Sequence, residues 1–172
     1  MSSTDHQKFG KGMFVLAWIS ALLLLSLWFD DLLDKQFNPN QQPQSLQTSD
    51  SIMVVLEQNR QGHYVASGTI NRQPVTYLLD TGATQVSIPA HLASQLNLQS
   101  GYSQQVSTAN GNIRVYSTRI DELTLGDIVL HDIPAHLNPA IDSDEILLGM
   151  SALRKLDFQQ QNGALVLTQK TR

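Results

Sequence analysis

"VTYLLDTGATQVSIP", residues 75–89, runs an apolar segment into a carboxylate, Asp80, turns at once through Thr-Gly-Ala, and then resumes as a second apolar segment. Asp and Gly suit tight turns, and a threonine hydroxyl can bond nearby backbone, so a strand-ending turn is one reading of Asp80 to Gly82. A carboxylate carried out of a buried strand into a confined loop also has the placement that general acid–base chemistry needs. The two readings separate on what the rest of the chain supplies.

Short apolar or alternating runs dominate the surroundings: "SIMVVLEQ" (51–58), "HYVASGTI" (63–70), "IRVYSTRI" (113–120), "IVLHDIPAHL" (128–137), "EILLG" (145–149) and "ALVLTQ" (164–169). Asn110-Gly111 and Asn162-Gly163 fall between such runs and are strong hairpin signals. The pattern predicts a mainly β domain, a small closed or semi-closed barrel. Two helical pieces are expected, "PAHLASQLNL" (89–98), opened by Pro89, and "MSALRKL" (150–156) after Gly149. "TYLLDTGA" and "EILLGMSA" echo each other, each an apolar strand entering a sharp turn.

The 172-residue chain has room for one ordinary domain and an accessory segment. Gly12 to Phe29 is a charge-free run, about 27 Å long as a helix and close to the thickness of a bilayer core. The following "SLWFDD" offers no small-x-small cleavage site, which favours an uncleaved anchor over a signal peptide. Lys8 and Lys11 precede the run, whereas Asp30, Asp31 and Asp34 with Lys35 follow it. Residues 1–11 are therefore expected in the cytoplasm, 12–29 across the membrane and the remainder outside. Residues 30–50, rich in amides and holding two prolines, read as a flexible polar linker, leaving 51–172 as the folded domain. A net charge of -4 and the lack of a basic stripe argue against nucleic acid as a partner. With no cysteine, thiol catalysis and disulfides are excluded.

Other clusters offer less chemistry. His131 and His136 stand five apart, so a strand would turn them to opposite faces, away from a shared metal. Asp142 to Glu145 lacks the glycine and spaced oxygens of a calcium loop and reads as a solvated turn. No serine sits in a nucleophile elbow, and the anchor lacks a small-xxx-small pattern for helix pairing.

"LLDTGATQVSIP", "TANG" and "ILLGMSAL", in that order, resemble a retropepsin-type aspartic protease over about residues 51–168. More narrowly, the chain is similar to the membrane-anchored, single-DTG aspartic proteases of Gram-negative bacteria. The resemblance implies a single-lobe barrel that works as a homodimer, with the domain in the periplasm and one pass through the inner membrane by residues 12–29. Aspartic proteases are the established case of two carboxylates sharing one proton, because close like charges do not both ionise. One DTG supplies one carboxylate, so the second Asp80 would come from a second copy. By the same resemblance Thr81 would link the two catalytic loops, Gly82 would permit the turn and close approach of substrate, and Ala83 would line the site. Thr108, Ala109, Asn110 and Gly111 would form the tip of a flap over a bound peptide or protein, and Gly149 would support the loop. No cofactor and no metal are implied. The alternative is a membrane-tethered module of the same fold that binds peptide without cutting it. In one respect the chain departs from the retroviral pattern. Thr84 and Met150 stand where an acidic residue and an arginine usually pair, so the dimer is expected to differ in detail.

Overall fold

The computed structural model describes residues 3–108 and 111–171. They fall into two units, an N-terminal helix and a β domain beginning at Phe37. The helix, α1 (Ser3–Phe37), contains a stretch from Gly12 to Phe37 long and apolar enough to cross a membrane. It is apolar on all sides between Met13 and Phe29, as a lipid-facing helix is and a core-packing amphipathic one is not. Charged residues begin at Asp30, where Lys35 bonds Asp31 at 2.6 Å one turn back, and the helix stops before Asn38-Pro39.

The domain is mainly β. Its first half holds β1 (Gln44–Gln47), β2 (Ser51–Glu57), β3 (Val65–Ile70), β4 (Gln73–Leu79) and β5 (Val86–Pro89). Then come β6 (Ser103–Thr108), β7 (Gly111–Leu125), β8 (Ile128–Asn138), β9 (Glu145–Leu148), the short helix α2 (Met150–Leu153), β10 (Asp157–Gln161) and β11 (Ala164–Lys170). One sheet is antiparallel in the order β1-β2-β11-β10. The other runs β3-β4-β9-β5-β8-β7-β6 and closes where β3 meets β7, at Thr69↔Thr124 and Ile70↔Leu123. Closure leaves a barrel, with the β6–β7 hairpin projecting from it.

Closure depends on a missing side chain. A Cβ at Gly68 would fall on the Thr124 carbonyl and the Tyr77 ring. Tyr77 is fully buried among the core aliphatics, and its hydroxyl donates to the Thr69 carbonyl at 2.7 Å. Burial pushes that phenol well above its ordinary range. At Asn162-Gly163 both residues take left-handed φ, 52° and 79°, and join β10 to β11 in the tight hairpin expected there. At the other expected hairpin Thr108 pairs with Gly111 across a two-residue connection whose residues, Ala109 and Asn110, lie outside those described.

The strand order positions the site. β4 and β5 are consecutive in the chain but not neighbours, because β9 lies between them, parallel to β4 and antiparallel to β5. The connection from Asp80 to Gln85 therefore has to pass over the end of β9.

Two expectations change. The helix expected over 89–98 is only a 3₁₀ turn, Ala90–Leu92, followed by irregular turns. Pro89 is already the last residue of β5. Asn97 takes φ 55°, and Leu96 and Leu98 are both buried, an arrangement that stops helix propagation. The stretch 30–50 also holds more structure than a linker. Its first part continues α1, Gln44–Gln47 is β1, and Asn38 and Asn40 are buried.

Candidate active site

Asp80 directly follows β4, half-buried at the mouth of a cleft of about 580 Å³. The loop that carries it is pinned by β9 and α2. Asp80 N–H donates to the Leu148 carbonyl (3.2 Å), Met150 N–H to the Ala83 carbonyl (2.8 Å) and Val86 N–H to the Ser151 hydroxyl (3.0 Å). Within the loop, Gly82 N–H donates to Asp80 Oδ1 at 2.8 Å and Ala83 N–H to the Asp80 carbonyl at 3.2 Å. The loop is thus held by β9 and α2, and the carboxylate itself accepts one backbone N–H, that of Gly82.

Gly149 allows this packing. A Cβ there would collide with the Gln85 carbonyl and lie 2.7 Å from that of Ala83. At Gly82 the space beside the carboxylate is tight. The residue's φ is not left-handed, but a Cβ would sit 3.1 Å from Asp80 Oδ1, crowding the carboxylate. Thr81 is exposed, and its hydroxyl has no partner among the described residues. Met150 occupies the place of the retroviral arginine and reaches Ala83 through its backbone instead.

Val106 and Ser107 of β6 and Ile113 of β7 line the same cleft as the Asp80 loop, so the hairpin forms one wall. Of the expected flap tip, Ala109 and Asn110 are outside the described residues. Thr108 is seen through its backbone pairing and Gly111 by its φ of 108°. Leu147 contributes an apolar patch from β9. Asp80 is the single carboxylate among the described lining residues.

The cleft also holds Ser87 and Asn138, which the sequence did not single out, and His136, which it weighed only as a metal ligand. His131 and His136 separate as their odd spacing requires, the first exposed and the second buried. Burial holds the His136 imidazole below its ordinary value.

The family described as "gag-polyprotein putative aspartyl protease" matches residues 66–155, a span that contains Asp80, the β6–β7 hairpin and Gly149. Among solved structures, a retropepsin-like aspartic protease from Rickettsia conorii has a TM-score of 0.61 at 22% identity, covering 76% of this chain and 97% of that one. EIAV protease complexed with the inhibitor HBY-793 has a TM-score of 0.43 at 22% identity, over 52% of this chain and 84% of its own. An uncharacterized protein in the cobV 5′ region of a Sinorhizobium species is 29% identical over 110 residues, 62% of this chain. The match spans 47% of that relative's length.

Proposed function

Because the chain belongs to the gag-polyprotein aspartyl protease family and has a retropepsin-like barrel, we propose that it is an aspartic endopeptidase completed by a second copy of itself. The observation that carries this reading is the lone Asp80 carboxylate, held by backbone at the mouth of a peptide-sized cleft. Two such half-sites across a two-fold axis would bring two carboxylates together around one water and one shared proton. The ionised member removes a proton from the water as it attacks the peptide carbonyl, and the protonated member delivers its proton to the departing nitrogen. The acidities then belong to the pair. Thr81, exposed next to Asp80 in sequence, would meet its counterpart across the axis. The β6–β7 hairpin would close over an extended substrate, which lies as an added strand with alternate side chains in the cleft. The apolar helix anchors the enzyme. The lysines before it and the aspartates after it put the catalytic domain on the periplasmic side of an inner membrane.

The test is hydrolysis of a peptide library by the full chain in detergent, beside Asp80→Asn. Loss of at least about 100-fold in rate is expected, with the fold retained by circular dichroism. An Asp80→Asn chain that cuts at the parent rate would remove the aspartic mechanism. Peptides bound but uncut by the parent would favour a silent binding module.

A further inference from the structure

We propose that Ser87, His136 and Asn138 form a subsite for a neutral amide side chain, Asn or Gln, of the peptide held beside Asp80. The inference rests on the peptidase reading and deepens it. β5 and β8 run parallel with Ser87 and His136 in register, so their side chains enter the same cleft together with Asn138. All three are buried, with 3%, 9% and 6% of their surface exposed. Three polar side chains sealed into one wall of a cleft are costly to leave unpaired.

Their hydrogen bonds leave donors facing the cavity. Asn138 Oδ1 already accepts from Ala140 N–H at 2.9 Å, and its Nδ2 donates a long bond of 3.4 Å to Ser87 Oγ. Ser87 thus accepts from Asn138 and keeps its own proton to give. His136 Nδ1 is sealed off without a partner, and its ring bonds to no other described residue. Desolvation keeps the imidazole neutral near neutral pH, with one N–H and one bare nitrogen. A sealed N–H without an acceptor costs more than a sealed lone pair, so the proton belongs on Nε2, the nitrogen open to the cleft.

The subsite therefore offers donors and asks for an acceptor. A leucine side chain would bury these donors unpaired, and a lysine would set a further donor against the Nε2–H and Nδ2–H groups instead of an acceptor. A carboxylate would satisfy the donors but share the cleft with the negative charge of the catalytic pair. An amide oxygen meets the donors without adding charge.

The experiment uses the detergent-solubilised full chain and a library of decapeptides carrying Gln, Glu, Leu or Lys at each position around the cleaved bond. Relative kcat/KM should favour Gln over Leu by about tenfold at one position, and over Glu and Lys there as well. His136→Leu should lower the Gln-over-Leu ratio at that position at least about fivefold, whereas His136→Gln, which can still donate, should retain most of it. Ser87→Ala supplies the same reading, as a smaller fall, where the leucine variant does not fold. A parent that prefers Leu, Glu or Lys at every position overturns the subsite, as does a ratio unchanged in His136→Leu and Ser87→Ala. If no library member is cut, the peptidase reading fails, and equilibrium binding of the library to the Asp80→Asn chain then decides the subsite alone. Enrichment of Gln among bound peptides supports it, and no enrichment overturns it.

Discussion

At the scale of single residues, the His136 imidazole links stability to pH. In the folded chain desolvation holds it below its ordinary value, while in the unfolded chain it titrates near about 6.5. Above that value both states keep it neutral, and it adds no pH dependence. As pH falls below it, the unfolded chain takes up a proton that the folded chain refuses, so stability declines until the folded value is reached. Most carboxylates titrate lower, near about 4, which leaves a window for the histidine. Urea midpoints at about pH 7.5 and about pH 5.5 should therefore fall in the parent and fall less in His136→Leu; equal falls in both would contradict the burial argument. Such a residue is hard to see in a sequence. Asp80 and Gly149 end apolar runs, so local pattern alone puts them at strand ends. His136 turns inward because of the long-range register of β8 against β5, which no local pattern carries.

At the scale of elements, the turn after α1 shows how polar text can be structural. The Asn40 side chain behaves like one more residue of a strand. Its Oδ1 accepts from Glu57 N–H at 2.7 Å, and its Nδ2 donates to the Glu57 and Val65 carbonyls at 2.9 and 2.7 Å. Its own carbonyl accepts from Ser67 N–H at 3.0 Å, and Asn38 bonds the Ser67 hydroxyl at 2.9 Å. These bonds latch the residues before β1 across the start of β3 and the end of β2. Asn40→Ala would remove three bonds to backbone, the one to Val65 buried and the two to Glu57 partly so, at a cost of about 1–3 kcal/mol. A denaturation midpoint within error of the parent would show the latch to be dispensable. Composition alone reads amide-rich text as a tether, because it does not reveal whether an asparagine faces water or a strand end. The barrel strands, by contrast, were legible from alternation, and the start of β11 from the Asn-Gly turn at 162–163. The short pieces β1 and β10 were not, since each pairs at a sheet edge with its residues largely exposed and so lacks an apolar pattern.

At the scale of the whole molecule, the proposed anchor and the proposed pairing of sites bear on each other. A reporter active only outside the cytoplasm, fused after residue 50, should be active if Lys8 and Lys11 hold the N-terminus inside; activity of a cytoplasmic reporter there would reverse the orientation. On the proposed mechanism, a chain with one carboxylate among the described lining residues of its cleft associates before it catalyses. The rate per chain should then rise with concentration and level off once pairs predominate, because the active species forms by mass action. Confinement to a bilayer raises the local concentration of partners, so reconstituted vesicles should stay active at bulk dilutions where detergent-dispersed chains do not. Mixing parent with Asp80→Asn chains sharpens the test. At equal amounts and random pairing, about half of the pairs are mixed and about a quarter carry two aspartates. If each pair needs both carboxylates, activity per parent chain falls to about half when pairing is saturated, and a monomeric enzyme would be unaffected by the added mutant. Specific activity that is constant on dilution and indifferent to Asp80→Asn would place both catalytic groups in one chain, and the second carboxylate would then have to be sought elsewhere than in a second Asp80.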